Sequence, residues 1–275
     1  MLKTARNTLT RAWLYFLRSP FRRRFISLFK GKVDFIVCGT QKGGTTALNA
    51  YFKEHAEICM ACIKEVHYFD RDKYFANGKP NYAKYHSFFA PNKSHTIIGE
   101  ATPIYMYWEQ APKRIFDYRP DIKIILILRN PIERAYSHWN MERSNKKDSL
   151  SFSEAIRNES QRCKEAHPSQ HRLFSYIDRG HYLDQIKRIW KYFPKEQVLI
   201  LKNEDLKSKP NETLASISDF LGIANFKNVE NKDVHSTPYV SKLSSEDRDY
   251  LRGIFEPGIK QLEKELNWDC SDWLK

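Results

Sequence analysis

The sequence predicts an α/β fold built on a central parallel β-sheet flanked by helices. Two apolar runs, each leading into a distinctive loop, carry that prediction. The first, Phe35-Ile36-Val37, feeds a loop holding one Lys, three Gly and three Thr (Phe35 to Leu48 reads FIVCGTQKGGTTAL), and helix-forming residues come next. The second, Ile122 to Leu128, ends in Arg129-Asn130-Pro131. Short Ile/Leu-rich runs bounded by Pro read as buried parallel strands. Two further runs, Ile97–Gly99 and Val198–Leu201, alternate with helical patterns, as a parallel sheet requires.

The chain divides into a basic segment, residues 1–32, and one domain, residues 33–275. Residues 1–32 hold nine Lys or Arg and no acid, interleaved with Trp13, Tyr15, Phe16, Phe21, Phe25 and Phe29. The apolar runs there are too short to span a bilayer, and no cleavage signal comes after them. Pro20 breaks the segment in two. A basic, aromatic-rich amphipathic stretch fits a peripheral anchor on an anionic membrane face; a loose basic tail, or a helix packed on the domain, fits it too.

The first loop is an anion site, because a strand–loop–helix turn exposes backbone N–H groups at a helix N-terminus. It is not an ATP or GTP loop. Gly39 and Gly44 have the spacing of G-x-x-x-x-G-K-[ST], but Thr45 stands where that pattern needs Lys. The lysine is Lys42, ahead of the glycine pair. The residues alone also allow an ordinary glycine-rich turn.

The second strand ends in Arg129, where a metal-dependent NTPase usually places Asp. A bidentate cation there suits a phosphate dianion without a metal. Pro131 fits the start of the following helix. Ser137 lies eight residues beyond Arg129, about two turns, and joins it on one phosphate only if that helix starts soon after Arg129. Later, Ser151 with Glu154 marks a capped helix start.

Together these segments resemble the sulfotransferases that use 3′-phosphoadenosine 5′-phosphosulfate (PAPS). The Lys-Gly-Gly-Thr-Thr order resembles their 5′-phosphosulfate loop, and Arg129-Asn130-Pro131-x-x-Arg134-x-x-Ser137 resembles their 3′-phosphate site. The resemblance implies a three-layer P-loop-type fold. It implies that Gln41, Lys42, Gly43, Gly44, Thr45 and Thr46 cradle the 5′ end, with the two threonines capping the helix, and that Arg129 and Ser137 hold the 3′-phosphate. No metal is implied. Lys64-Glu65-Val66-His67-Tyr68-Phe69-Asp70 resembles a segment of the heparan sulfate and related polysaccharide sulfotransferases, in which the Glu acts as base. This carries the base to Glu65. His67, on the same side of an extended segment, is the second candidate for catalysis. Glu100-Ala101-Thr102 departs from that group's E-K-[ST]: a lysine that touches the sulfuryl group is replaced by Ala101, and Lys64 is the cation at hand to take over. Arg179-Gly180-His181-Tyr182 resembles a segment of bacterial relatives, which puts Tyr182 near the adenine, in the cleft wall or in the core. Asn203-Glu204-Asp205-Leu206, Phe220 to Ile223 and the terminal Trp268 and Trp273 match structural positions. The region 235–242 lacks the basic glycine loop that usually closes over PAPS.

Composition agrees. The chain has 275 residues, 41% hydrophobic and 29% charged, as a globular domain does. Net charge is +13, which points to PAPS, an acidic glycan or a membrane surface as partners. A nucleic-acid binder would share that charge but leave both phosphate motifs unexplained, so no nucleic acid is expected. Five scattered cysteines, with Cys59-x-x-Cys62 lacking a second pair, argue against zinc and for a reducing compartment. The expected location is cytoplasmic, peripheral on the inner face of a membrane. The expected acceptor is a hydroxyl or amine of a carbohydrate, with a lipid or small molecule as the alternative. The aromatic cluster Tyr82, Tyr85, Phe88 and Phe89 suits a sugar cleft, an apolar pocket or, at its helical spacing, the core.

Overall fold

A computed structural model describes residues 32–166, 170–227, 229 and 238–275. The basic segment before Lys32 and the first part of the 235–242 region lie outside these residues.

Five strands form one sheet: β1 (Phe35–Gly39), β2 (Ile58–Met60), β3 (Ile97–Ala101), β4 (Lys123–Leu128) and β5 (Val198–Lys202). Their order is β2-β3-β1-β4-β5, and every pairing is parallel. The four strands expected from sequence are present. Strand β2 was not expected, because three residues carry no usable periodicity. Strand β3 runs on to Ala101, so Glu100 and Ala101 belong to the strand.

Alternation along β1 splits the core into two layers. Ile36 and Cys38 enter one buried cluster with Ile124 and Leu126, and Phe35 and Val37 enter the other with Ile125 and Ile127. Helix α1 (Thr45–Glu54) follows β1 and packs in the second layer through Leu48, Tyr51 and Phe52. Of the aromatic cluster, Tyr85 on α2 (Tyr82–His86) and Phe89 are fully buried, and the half-buried Tyr82 and Phe88 pack against the same core, so the cluster is core. Helix α3 (Ala111–Tyr118) leads into β4.

Helix α4 (Pro131–Ser144) begins with Pro131, two residues after Arg129, as the shared phosphate site demands. Asn130 caps it, its Oδ1 accepting from the Ile132 and Glu133 amides, while its Nδ2 donates to the carbonyl of buried Trp273 at 3.2 Å. The C-terminus thus braces the loop after β4. Helix α5 (Phe152–Arg157) opens with the expected capping box between Ser151 and Glu154. Helices α6 (Glu159–Glu165), α7 (Tyr182–Trp190), α8 (Asn203–Ser208), α9 (Pro210–Leu221) and α10 (Ser245–Leu266) complete the layers. All five cysteines are free thiols. Among the described residues, no helix is long and apolar enough to cross a membrane.

Candidate active site

In parallel sheets ligands bind beyond the carboxyl ends of the strands, where the strand order reverses. Here β1 lies between β3 and β4, and a cleft of about 1010 Å³ opens above their ends. A groove of about 600 Å³ lies at the other end of the strands; of its two cations, Lys32 and Arg119, Arg119 is already paired with Asp34 and Asp121, at 2.6 and 3.0 Å.

The glycine-rich turn forms the floor of the cleft. A Cβ on Gly43 would sit 2.4 Å from the Ile127 carbonyl oxygen, so only glycine fits against β4. Gly44 takes φ 110° and occupies the N-cap of α1 without any side-chain cap. This corrects the expectation that Thr45 and Thr46 cap the helix: they are its first residues, they line the cleft, and no side chain caps their amides. Among the described residues Lys42 makes no hydrogen bond or ion pair. Its pKa is lowered, first by burial and then by the Arg129 and Lys64 charges.

Arg129 and Ser137 both line this cleft. The nearest acid to Arg129 is Glu133, at 3.9 Å, so its guanidinium is close to unpaired. Tyr182 does not reach the cleft. It is buried beneath β4, its hydroxyl donating to the Arg129 carbonyl at 2.7 Å and its ring meeting Trp273 edge-on. Of the three places open to it, the core is the one it takes; it supports Arg129 from behind.

Glu65 and His67 do come together, but not on an extended segment. Both adopt left-handed backbone (φ 62° and 54°) around the buried Val66. The turn is held from below: the Glu65 amide donates to the Ala101 carbonyl at 3.0 Å, and the Tyr105 hydroxyl accepts from the Tyr68 and Phe69 amides. Tyr105 in turn donates to the fully buried Glu100, as do Tyr85 and Thr102. Glu65 Oε2 then lies 3.5 Å from His67 Nε2, and Oε1 lies 2.5 Å from Lys64 Nζ. His67 Nδ1 lies 3.0 Å from Asp70 Oδ2, which also takes a 2.5 Å ion pair from Arg172. Burial would raise the Glu65 carboxyl, but His67 and Lys64 outweigh it and bring it to about 2. Burial would lower His67, but Asp70 and Glu65 raise it to about 9. At neutral pH the row is carboxylate, imidazolium, carboxylate, guanidinium.

Sequence reasoning assigned no role to Asp70, Arg172, Arg179, Asn203 or Glu142. Arg172 stacks on Trp108 at 4.1 Å while pairing with Asp70. Arg179 is fully buried; it donates to the Gln41 side chain, to Ser175 Oγ and to the Arg172 carbonyl. Gln41 is thereby engaged by the protein. Asn203 packs against Gly44, and both line the cleft. Asp70 and Arg179 stood inside recognisable motifs, where a buried charge was the available signal; Arg172 and Glu142 had none. Among the described residues eight Lys or Arg line the cleft (Lys42, Lys64, Arg71, Arg129, Lys147, Arg172, Arg179, Lys207) against two acids, Glu65 and Glu142, a lining whose charge suits a polyanion.

A family model described as the sulfotransferase domain matches residues 32–246. The chain belongs to the sulfotransferase family. Members of that family take their sulfonate from PAPS. The chain is 31% identical to mouse heparan sulfate glucosamine 3-O-sulfotransferase 3B1, over 68% of this chain and 45% of that protein. It is 32% identical to human bifunctional heparan sulfate N-deacetylase/N-sulfotransferase 3, over 69% of this chain and 22% of that protein. It is also similar to the membrane-associated sulfotransferase kil1 of Dictyostelium discoideum, at 27% identity over 86% of this chain and 65% of that protein. The chain thus spans less than two thirds of each of these relatives. The crystal structure of a sulfotransferase from Alicyclobacillus acidocaldarius superposes with a TM-score of 0.75 at 26% identity, over 89% of this chain and all of that one.

Proposed function

We propose that this sulfotransferase moves the sulfonate of PAPS to a hydroxyl or amine of a carbohydrate acceptor. The observation that carries the reading is Lys42, unpaired among the described residues, at a helix N-terminus without a side-chain cap, beside an ionised carboxylate, Glu65, in a cationic cleft. In the proposed reaction the acceptor oxygen or nitrogen attacks sulfur in line with the leaving group. The bond from sulfur to the 5′-phosphate oxygen breaks as the new bond to sulfur forms, and the acceptor proton passes to Glu65. Lys42 and the first-turn amides of α1 stabilise the charge developing on the departing phosphate. Arg129 and Ser137 hold the 3′-phosphate. Glu65 is the base rather than His67, because both His67 nitrogens are engaged and its proton is held to about pH 9; His67 orients the carboxylate. Lys64, poised on Glu65, supplies the sulfuryl-side cation that Ala101 lacks.

Two relatives named for heparan sulfate and the cationic lining both favour an anionic glycan as acceptor. Contact of residues 1–32 with an anionic membrane belongs to the same reading; it rests on their composition and on the name of the Dictyostelium relative.

The first test is calorimetry with adenosine 3′,5′-bisphosphate, against ADP and ATP with and without Mg²⁺. Metal-independent binding that needs the 3′-phosphate is expected. Preference for Mg²⁺-ATP would overturn the nucleotide assignment. Screening glycans, phenols and lipids with labelled PAPS then decides the acceptor.

A further inference from the structure

The proposed reaction leaves Glu142 unused. Its carboxylate is 2% exposed, yet it lines the cleft. Oε1 faces His138 at 3.9 Å, and the enclosed Oε2 has no hydrogen-bond partner among the described residues. Helix α4 ends in a turn with Lys146 in left-handed backbone (φ 58°), which returns the Lys147 amide to the Glu142 carbonyl at 2.9 Å. The Lys147 ammonium then stands 3.6 Å from Oε2, with half its side chain exposed. Glu65, the other acid lining the cleft among the described residues, is the proposed base and is held by Lys64 and His67. Among the described residues the Glu142 carboxylate is therefore held only by the long Lys147 and His138 contacts, and a buried acceptor without a close donor is costly.

PAPS does not supply that donor at this position. Its phosphates and sulfonate only accept hydrogen bonds. Its donors lie on the adenosine, whose 3′-phosphate is assigned to Arg129 and Ser137. Glu142 stands five residues beyond Ser137 on the same helix, about 7 Å further along the axis. We propose that Glu142 and Lys147 form an acceptor-recognition subsite: the Glu142 carboxylate takes a hydrogen bond from a hydroxyl or N–H beside the sulfated position, and Lys147 meets an anionic substituent on the same or the adjoining ring. The ligand class is an acidic sugar with a free neighbouring hydroxyl or amide, and the assignment rests on the carbohydrate reading of the acceptor.

The test compares Glu142→Leu, Glu142→Gln and Lys147→Ala with the unmodified protein. The probes are adenosine 3′,5′-bisphosphate by calorimetry, and labelled PAPS with either heparosan (an unsulfated polymer of glucuronate and N-acetylglucosamine) or 2-naphthol, which has one hydroxyl and no neighbour. A thermal melt establishes that each variant folds. The nucleotide affinity is expected to stay within about twofold, and kcat/KM on heparosan to fall roughly 10- to 100-fold in Glu142→Leu, the range for a lost hydrogen bond to a charged group. Glu142→Gln keeps one acceptor oxygen and falls less; on 2-naphthol the loss is at least about tenfold smaller. An unmodified protein active on heparosan with Glu142→Leu equally active overturns the subsite alone. Equal losses on both acceptors, or a large change in nucleotide affinity, overturn it too. Activity on 2-naphthol with none on heparosan overturns the carbohydrate reading, and the subsite with it.

Discussion

At the scale of single residues, the site is a set of charges whose partners are missing or shared. Lys42 pairs with no acid among the described residues and is the proposed leaving-group cation, so the Lys42→Ala variant should lose roughly 10²–10³ in kcat, the usual cost of one transition-state charge contact, as measured by transfer from labelled PAPS. Arg129 is close to unpaired, and Arg129→Ala should weaken adenosine 3′,5′-bisphosphate roughly 10- to 100-fold in calorimetry. Unchanged affinity would place the 3′-phosphate elsewhere. The third prediction concerns pH. His67 is raised to about 9 in the folded protein, so its protonated form carries the contacts with Glu65 and Asp70. That contribution to stability is complete below about pH 6.5, the ordinary histidine value, and is lost as pH rises through about 9. Activity should follow the same alkaline limb, whereas protonation of Glu65, near pH 2, lies below any working range. A pH–rate profile in which His67→Gln keeps an unshifted limb near 9 would remove His67 from the explanation.

At the scale of elements, the segment bearing the proposed base is neither strand nor helix. Its geometry is imposed by Tyr105 and, through it, by Glu100 at the end of β3. Phenylalanine at position 105 fills the same space but leaves the Tyr68 amide without its 2.9 Å acceptor. An unsatisfied buried donor costs about 1–3 kcal/mol, read as a melting temperature lowered by roughly 2–4 °C per kcal/mol. The Tyr105→Phe variant should also lose kcat, since Glu65 and His67 keep their left-handed turns only while Tyr68 and Phe69 stay anchored. A melt unchanged from the unmodified protein would show that the hydroxyl does not hold this segment.

At the scale of the whole molecule, the charge of +13 and the cationic cleft predict that KM for an acidic acceptor rises steeply between about 0.05 and about 0.3 M salt, as screening shortens the reach of surface charge. A neutral acceptor should show little change. The same charge bears on residues 1–32. Vesicles rich in phosphatidylserine should retain the full chain and release a variant lacking that segment, if it is the membrane anchor its composition suggests; equal retention would assign binding to the domain.

The sequence by itself determined the parallel α/β architecture, the two loops proposed to bind phosphate, the helix start at Pro131 and the capping box at Ser151. Each is a local matter, set by backbone needs within a few residues: a glycine pressed against a strand, a proline at a first turn, a serine three residues before a glutamate. The sequence also placed Glu65 and His67 side by side, although for the wrong backbone reason. Only the tertiary structure decided that Tyr182 supports Arg129 from the core, that Gly44 rather than a threonine caps α1, and that Arg172 and Arg179, more than a hundred residues from Asp70 and Gln41, close on them. Strand β2 was equally hidden, because three residues become a strand only when β3 lies beside them. Burial of charge is the common reason: whether a buried arginine or glutamate finds a partner depends on which distant loops fold over it, and no local pattern in the chain records that.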